Sequence, residues 1–390
     1  MNELPSSQTP VSRSGAPAGN TPFRFYDNRQ KYLTFVNTCN EKQKVADRAA
    51  HELREIRPTP PALRLFDAGM GDATVLARLM RSAHASWPTV PQLVVAKEIS
   101  REDVRLGLEK VADRFFEHPT TVLVITNLHY ADAPALRPQS PEDATRLNWQ
   151  VLKLKGDSSH EYARQIDGLG GVLDYGWATR PSESSGNPVY VRPSVLVIYR
   201  EDHAFLLDAV IPRPETPAID YDFILASQPW RARMSAKFKV GKVLLPLVLR
   251  LAMGGRLLVI QSRGDDPGLE IVRSLWPGES PFQVDRHKLL AELRAALAAD
   301  VAKYSLGDPP DSESVFRYEM HTLPAEVGDR IGTSMLFAAW NAAIYVNQIE
   351  DERLGEVVAN GRYLDATQSV LRKHGGLWFN DESFVVSRRS

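Results

Sequence analysis

Only one cysteine, Cys39, occurs in 390 residues. A disulfide within the chain is excluded, and a cysteine-based zinc site lacks ligands. The nine histidines show no H-E-x-x-H or comparable spacing, so no metal is expected. An excess of one charge is missing too: 47 Lys and Arg stand against 48 Asp and Glu, a formal net charge of -1. Proteins that grip nucleic acid through its phosphates carry a basic excess, so nucleic acid is not an expected partner. Long apolar runs are also absent. The most apolar stretch, Val243 to Ile260, is broken by Pro246, Arg250, Gly254, Gly255 and Arg256, and no membrane association is expected. The N-terminus has neither the basic start nor the apolar core of a signal peptide, which points to a cytoplasmic protein. Nothing in the sequence sets an oligomeric state.

What is present is an α/β rhythm. Residues 1–21, rich in Ser, Pro, Gly, Thr and Asn, read as a disordered tail ahead of one domain over 22–390. Apolar positions at helical spacing in 28–56, interrupted at Asn37-Thr-Cys-Asn40, predict two helices, and residues 22–60 read as a helical lid. Leu63–Asp67, Leu93–Glu98 and Thr120–Thr126 then read as strands separated by helices. This spacing predicts a doubly wound, mostly parallel, seven-stranded Rossmann-like sheet. The rhythm stops over 133–219, which reads as an α+β insertion after the third strand. Within it, Trp149–Leu154 is a strand, 159–167 a helix, and Val195–Tyr199 with Ala204–Ile211 a hairpin. The pattern resumes with a strand at Tyr221–Ala226, a helix at Val243–Leu251, a strand at Arg256–Gln261 and a helix at Lys288–Tyr304. A strand at Val315–Leu323, helices across 334–373 and a strand at Ser383–Ser387 complete it.

Open α/β sheets bind ligands beyond the carboxyl ends of their strands, where strand order reverses. The first strand runs into Asp67-Ala-Gly69-Met-Gly71-Asp72, whose glycines let the backbone turn sharply and approach a ligand. A dinucleotide site wants G-x-G-x-x-G, but the third glycine is replaced by Thr74. Asp67 and Asp72 flank the turn, and two carboxylates beside a pyrophosphate are electrostatically costly. S-adenosyl-L-methionine carries an ammonium and a sulfonium and no phosphate, so acids there favour it. Glu98, ending the second strand, stands where a carboxylate takes ribose hydroxyls. Asp67, Gly69, Gly71, Asp72, Glu98 and Asn127, after the third strand, are the candidate cofactor residues. Asp72 also suits a helix cap, and Glu98 a solvated strand end. The fourth strand ends in Ser227-Gln228-Pro229-Trp230, where a methyl acceptor would lie. Gln228 offers donor and acceptor together, and Trp230 a flat face, unless that ring simply packs in the core.

The turn at Asp67–Asp72 resembles the glycine-rich first motif of class I methyltransferases. Most of the chain outside 133–219 is similar to the histamine N-methyltransferase family. The similarity is carried by Tyr26-Asp27 through Phe35-Val-Asn-Thr-Cys-Asn-Glu41-Lys-Gln43, by Tyr221-Asp-Phe-Ile-Leu-Ala-Ser-Gln228, and by Leu377-Trp-Phe-Asn380-Asp381-Glu-Ser-Phe384. The resemblance implies that Glu41 contacts an amine, Gln228 holds its ring, and either Asn380 or Asp381 faces the substrate. It implies N-methylation of a small amine, with Glu41 and Gln228 as catalytic candidates and Glu41, Gln228, Trp230, Asn380 and Asp381 as substrate-binding ones. Two other readings stay open. Ser-Gln-Pro-Trp resembles the N-P-P-[YFW] loop of amino-methyltransferases that act on bases, which keeps open methylation of a nucleobase or a protein side-chain amide. A binding module without turnover, using 133–219 as its contact surface, is the other.

Overall fold

The computed structural model describes residues 29–183, 188–215, 218–322, 327 and 331–389. The tail at 1–21 lies outside them. Two helices open the described chain, α1 (Arg29–Thr38) and α2 (Glu41–Leu53). The strands follow as β1 (Leu63–Asp67), β2 (Gln92–Lys97), β3 (Thr121–Thr126), β4 (Asn148–Leu154), β5 (Thr179–Pro181) and β6 (Pro188–Tyr190). After them come β7 (Ser194–Arg200), β8 (Tyr221–Ser227), β9 (Leu251–Ser262), β10 (Tyr304–Gly307), β11 (Val315–Glu319) and β12 (Trp378–Arg388). Helices α3 (Thr74–Ser86) and α4 (Arg101–Glu117) connect the first three strands.

One mixed sheet has the order β10-β12-β9-β8-β1-β2-β3-β7-β4, and β11 also pairs with β12. The β3-β2-β1-β8-β9 centre is parallel and made of near-continuous apolar runs. Strands buried on both faces require this. Alternate residues feed two layers: Phe66, Val95 and Ile224 face one side, and Leu65, Val94 and Leu225 the other. The doubly wound α/β architecture is therefore present, with ten strands where seven were expected. Residues 133–219 add β7, antiparallel to β3, and β4, parallel to β7. At the other edge, β11 and β10 share one side of β12 end to end.

The expected hairpin partner Ala204–Ile211 is not a strand. A 3-10 turn at Glu201–His203 and further turns replace it. Both edges of β7 are already taken by β3 and β4, which leaves no edge for a returning strand. The helix expected over Lys288–Tyr304 spans Arg286–Leu297 and tightens into a 3-10 turn before Tyr304 opens β10. The Val243–Leu251 helix ends at Val248, because Leu251 already pairs with Tyr221.

Strand order reverses between β1 and β8, and α1 and α2 lie across that point. Their junction is stitched to the end of β11. Asn40 N–H donates to Glu319 O (2.9 Å), Asn40 Oδ1 accepts from Glu319 N (2.7 Å), and His321 N–H donates to Thr38 O (2.7 Å). Asn40 thus spends its side chain on β11 instead of capping α2.

Candidate active site at the sheet's switch point

A cavity of about 850 Å³ opens over the carboxyl ends of β1, β2 and β8. The β1 turn, α1, α2, the segment after β8, β11 and helix Thr333–Val346 all contribute walls. Residues 133–219 add Asp174, Trp177, Ala178, Thr179 and Pro188, so this segment reaches the cavity as well as the sheet edge.

At the β1–β2 end, Asp67 is 2% exposed. Its Oδ1 accepts from Gly69 N (3.0 Å), while its Oδ2 has no hydrogen-bond partner. Burial pushes its carboxyl up to about 6, with Lys42 opposing and Glu98 reinforcing the rise. Glu98 accepts from Gly71 N (2.9 Å), Ile99 N (2.8 Å) and Ser100 N (2.8 Å). Burial, then Asp103, push it above the usual carboxylate range in spite of those donors. Asp67, Gly69, Gly71 and Glu98 all line the cavity. Gly71 has φ +52, and a Cβ there would lie 3.0 Å from the Tyr32 hydroxyl. Tyr32 in turn accepts from Lys42 Nζ at 3.1 Å, so α1 and α2 close directly over the turn.

Two of the proposed cofactor residues lie elsewhere. Asp72 does not line the cavity: it accepts from Thr74 N (3.2 Å) and Thr74 Oγ1 (2.8 Å) and pairs with Lys42 (3.3 Å) and Lys110 (2.5 Å). Burial raises its carboxyl, but those partners outweigh burial and hold it below the usual range. It stands one residue before Ala73, the helix's N-terminal cap, and holds the N–H of Thr74. Asn127 is buried away from the cavity, donating to Gly176 O and Arg192 O (2.9 Å each) and accepting from Ser194 N (2.8 Å). The added β7 lies beside the end of β3 and claims that side chain.

At the β8 end, Gln228 sits at φ +48, a left-handed conformation that side chains disfavour. Its Nε2 donates to Asp381 Oδ1 (3.1 Å) and its Oε1 accepts from Ser262 N (3.1 Å). Glu41, Gln228 and Trp230 line the cavity. Asn380 does not. Its amide donates to Gly264 O (3.2 Å) and Asp265 O (2.9 Å), because successive strand residues face opposite sides. Of the two candidates, Asp381 is the one joined to the cavity wall. Trp230 is 7% exposed; its indole N–H donates to Gln261 Oε1 (2.9 Å), and Lys239 lies 5.4 Å from its ring centroid.

The sequence reading missed several wall residues. Tyr32, Lys42, Lys97, Tyr130, Tyr318 and Tyr345 all line the cavity, and no motif in the sequence marks them. Phe35 packs on Tyr345 (centroids 5.0 Å) and edge-on to Tyr318 (6.0 Å). Lys97 rests over the Tyr130 ring at 4.6 Å, and Tyr130 Oη donates to Pro229 O at 3.0 Å. Among the described residues no His/Cys/Asp/Glu group could hold a metal, and no helix is long and apolar enough to cross a membrane.

No protein-family model matches the chain, and no curated protein does. Solved structures resemble it at low identity. YjhP from E. coli has a TM-score of 0.35 at 10% identity, over 93% of this chain and 100% of that one. A geranyl diphosphate methyltransferase solved with GPP and sinefungin gives 0.32 at 11%, over 88% and 78%. The cyclase SpnF gives 0.32 at 12%, over 88% and 81%.

Proposed function

We propose that the chain is a class I methyltransferase that binds S-adenosyl-L-methionine at the Asp67–Glu98 end and N-methylates a small amine at the Gln228 end. The observation that carries this reading is how the β1 turn spends its donors. Gly69 N, Gly71 N and Thr74 N are each bonded to a carboxylate, of Asp67, Glu98 and Asp72. A pyrophosphate there would meet three amides already committed to carboxylates and the acids that hold them, whereas a phosphate-free cation suits the unpartnered Asp67 Oδ2. When bound, this cofactor supplies an electrophilic methyl group on a sulfonium.

The chain's own residues then have defined tasks. Asp67 takes the cofactor's cationic end, and Glu98 retains a lone pair for a ribose hydroxyl beyond its three backbone bonds. Tyr32 and Lys42, over Gly71, exclude water from the turn. Glu41 holds the acceptor amine and can take its proton, Gln228 orients the acceptor, and Phe35, Tyr318 and Tyr345 offer ring faces to a cationic or aromatic group. In-line transfer needs no covalent bond to the protein, so alignment and desolvation carry the rate. The nucleobase reading finds less support: Trp230 is tied to Gln261 and has Lys239 near its ring, which suits a fixed wall better than a stacking platform.

The test is calorimetric titration of S-adenosyl-L-methionine into the full chain, followed by labelled methyl transfer to a panel of primary and secondary amines. Saturable binding with transfer to an amine is expected. If the wild type does not bind the cofactor, the reading fails.

A further inference from the structure

Lys97 ends β2 one residue before Glu98, so the two side chains leave the strand on opposite faces. Val95, two residues earlier, belongs to the layer that holds Trp230, and Tyr130 packs against that layer. Lys97 therefore enters the cavity on the Trp230 face. Its ammonium lies 4.6 Å from the centre of the Tyr130 ring. That ring is pinned by its hydroxyl, which donates to Pro229 O at 3.0 Å. The lysine thus stands beside the Gln228–Trp230 segment that walls the acceptor end.

Three other cations of the wall are committed. Arg29 pairs with Asp103 (3.3 Å), Lys42 with Asp72 (3.3 Å) and Tyr32 (3.1 Å), and Arg101 with Asp174 (2.6 Å). Among the described residues Lys97 Nζ has no ion pair and no hydrogen-bond acceptor; its contact is the Tyr130 ring. Burial lowers its pKa, with Glu98 opposing, and Glu98 itself is taken up by Gly71 N, Ile99 N and Ser100 N. A half-buried ammonium with unspent donors gains most from an anion. A phosphate wants several donors, and the nearby turn amides are held by Asp67, Glu98 and Asp72. Its second negative charge would also meet those acids. A carboxylate, with a single charge, is matched by one lysine. The cofactor carries a carboxylate of its own, on the carbon that bears its ammonium. Lys42 is the cation at that turn, its Nζ 3.6 Å from a Cβ placed on Gly71.

We propose that Lys97 is the anion subsite of the acceptor, and that the acceptor is an amino acid, held with its carboxylate on Lys97 and its nitrogen toward the sulfonium. This rests on the amine-methylating reading above and names its substrate class.

The test compares amino acids with the amines left when the carboxylate is removed. The pairs are L-phenylalanine with 2-phenylethylamine, L-histidine with histamine, and γ-aminobutyrate with propylamine. Calorimetry reads their binding to the full chain saturated with S-adenosylhomocysteine. In at least one pair the amino acid should bind about tenfold or more tighter than its amine, the scale of a hydrogen bond between charged groups. Lys97→Met keeps an apolar stem on the Tyr130 ring and should cut that preference to about twofold or less, and Lys97→Arg should return part of it. An amine preferred in every pair, no binding by either member of any pair, or a preference that survives Lys97→Met overturns the proposal. So does a Lys97→Met chain whose affinity for S-adenosylhomocysteine falls by the same factor, because the lysine would then serve the cofactor. If S-adenosylhomocysteine fails to bind the wild type, the methyltransferase reading falls, and the same pairs titrated into the chain alone still decide whether Lys97 takes a carboxylate.

Discussion

Asp67 is the residue where function and stability pull apart. Its raised pKa means that the folded state penalises the ionised carboxylate. The sign follows: stability from this group is fully present below its unfolded value near 4 and is lost as pH rises through about 6. Asp67→Asn keeps an acceptor for Gly69 N and removes the buried charge. We expect it to gain on the order of 2 kcal/mol at pH 7.5 in urea unfolding while losing at least about tenfold in cofactor affinity by calorimetry. A variant that neither gains stability nor loses affinity would show that the carboxylate is not poised for a cation. Gln228 stores strain of a related kind. Its left-handed backbone costs on the order of 1–2 kcal/mol and keeps its amide between Ser262 and Asp381.

At the scale of elements, the β1 turn and its cover form one unit. Gly71→Ala must accept both a positive φ and a methyl 3.0 Å from Tyr32 Oη. A loss of about 1–3 kcal/mol is expected, together with weaker cofactor binding, and Tyr32→Phe in the same chain should return part of it. A thermal-denaturation double-mutant cycle reads the coupling, and strict additivity would refute the contact. Trp177 ties the 133–219 segment to the cofactor end: it is 2% exposed and its indole N–H donates to Glu98 O at 2.8 Å. Trp177→Ala should cost about 3–5 kcal/mol in urea unfolding. The strands and the turn were legible because buried parallel strands are unbroken apolar runs and glycine-acid turns are compositionally distinct. The role of 133–219 was not, since β7 looks like any hairpin strand until β3 and β4 take both its edges. Asn127 was misread for the same reason. The aromatic wall escaped because Phe35, Tyr318 and Tyr345 belong to three elements whose own patterns make them look like ordinary core.

For the molecule as a whole, the ligand-free state carries acids whose pKa values are raised at both ends of one cavity: the buried Asp67, Glu98 and Asp381 and the half-buried Glu41. Each favours folding when protonated and penalises it when ionised, so a cationic ligand relieves more at higher pH. Cofactor at about 100 times its Kd stabilises by roughly 2.7 kcal/mol. At fixed cofactor concentration the thermal shift should be larger at pH 7.5 than at pH 5.5, because affinity rises as Asp67 ionises. Scanning fluorimetry at the two pH values measures this, and an equal or reversed shift would contradict the charge argument. Asp72 works in the opposite direction. Its lowered pKa contributes stability above about 4 that disappears as acid titrates the Lys42 and Lys110 pairs.

The stitching of the α1–α2 junction to Glu319 and His321 also has a consequence in time. Translation delivers Glu41 early and Asp381 some 340 positions later, so the α1–α2 junction waits for β11 before it can be stitched down. The acceptor pocket comes into being only when the last strand has threaded beside β9. Prematurely terminated products should therefore fail to hold the acceptor, however well their parallel centre has formed.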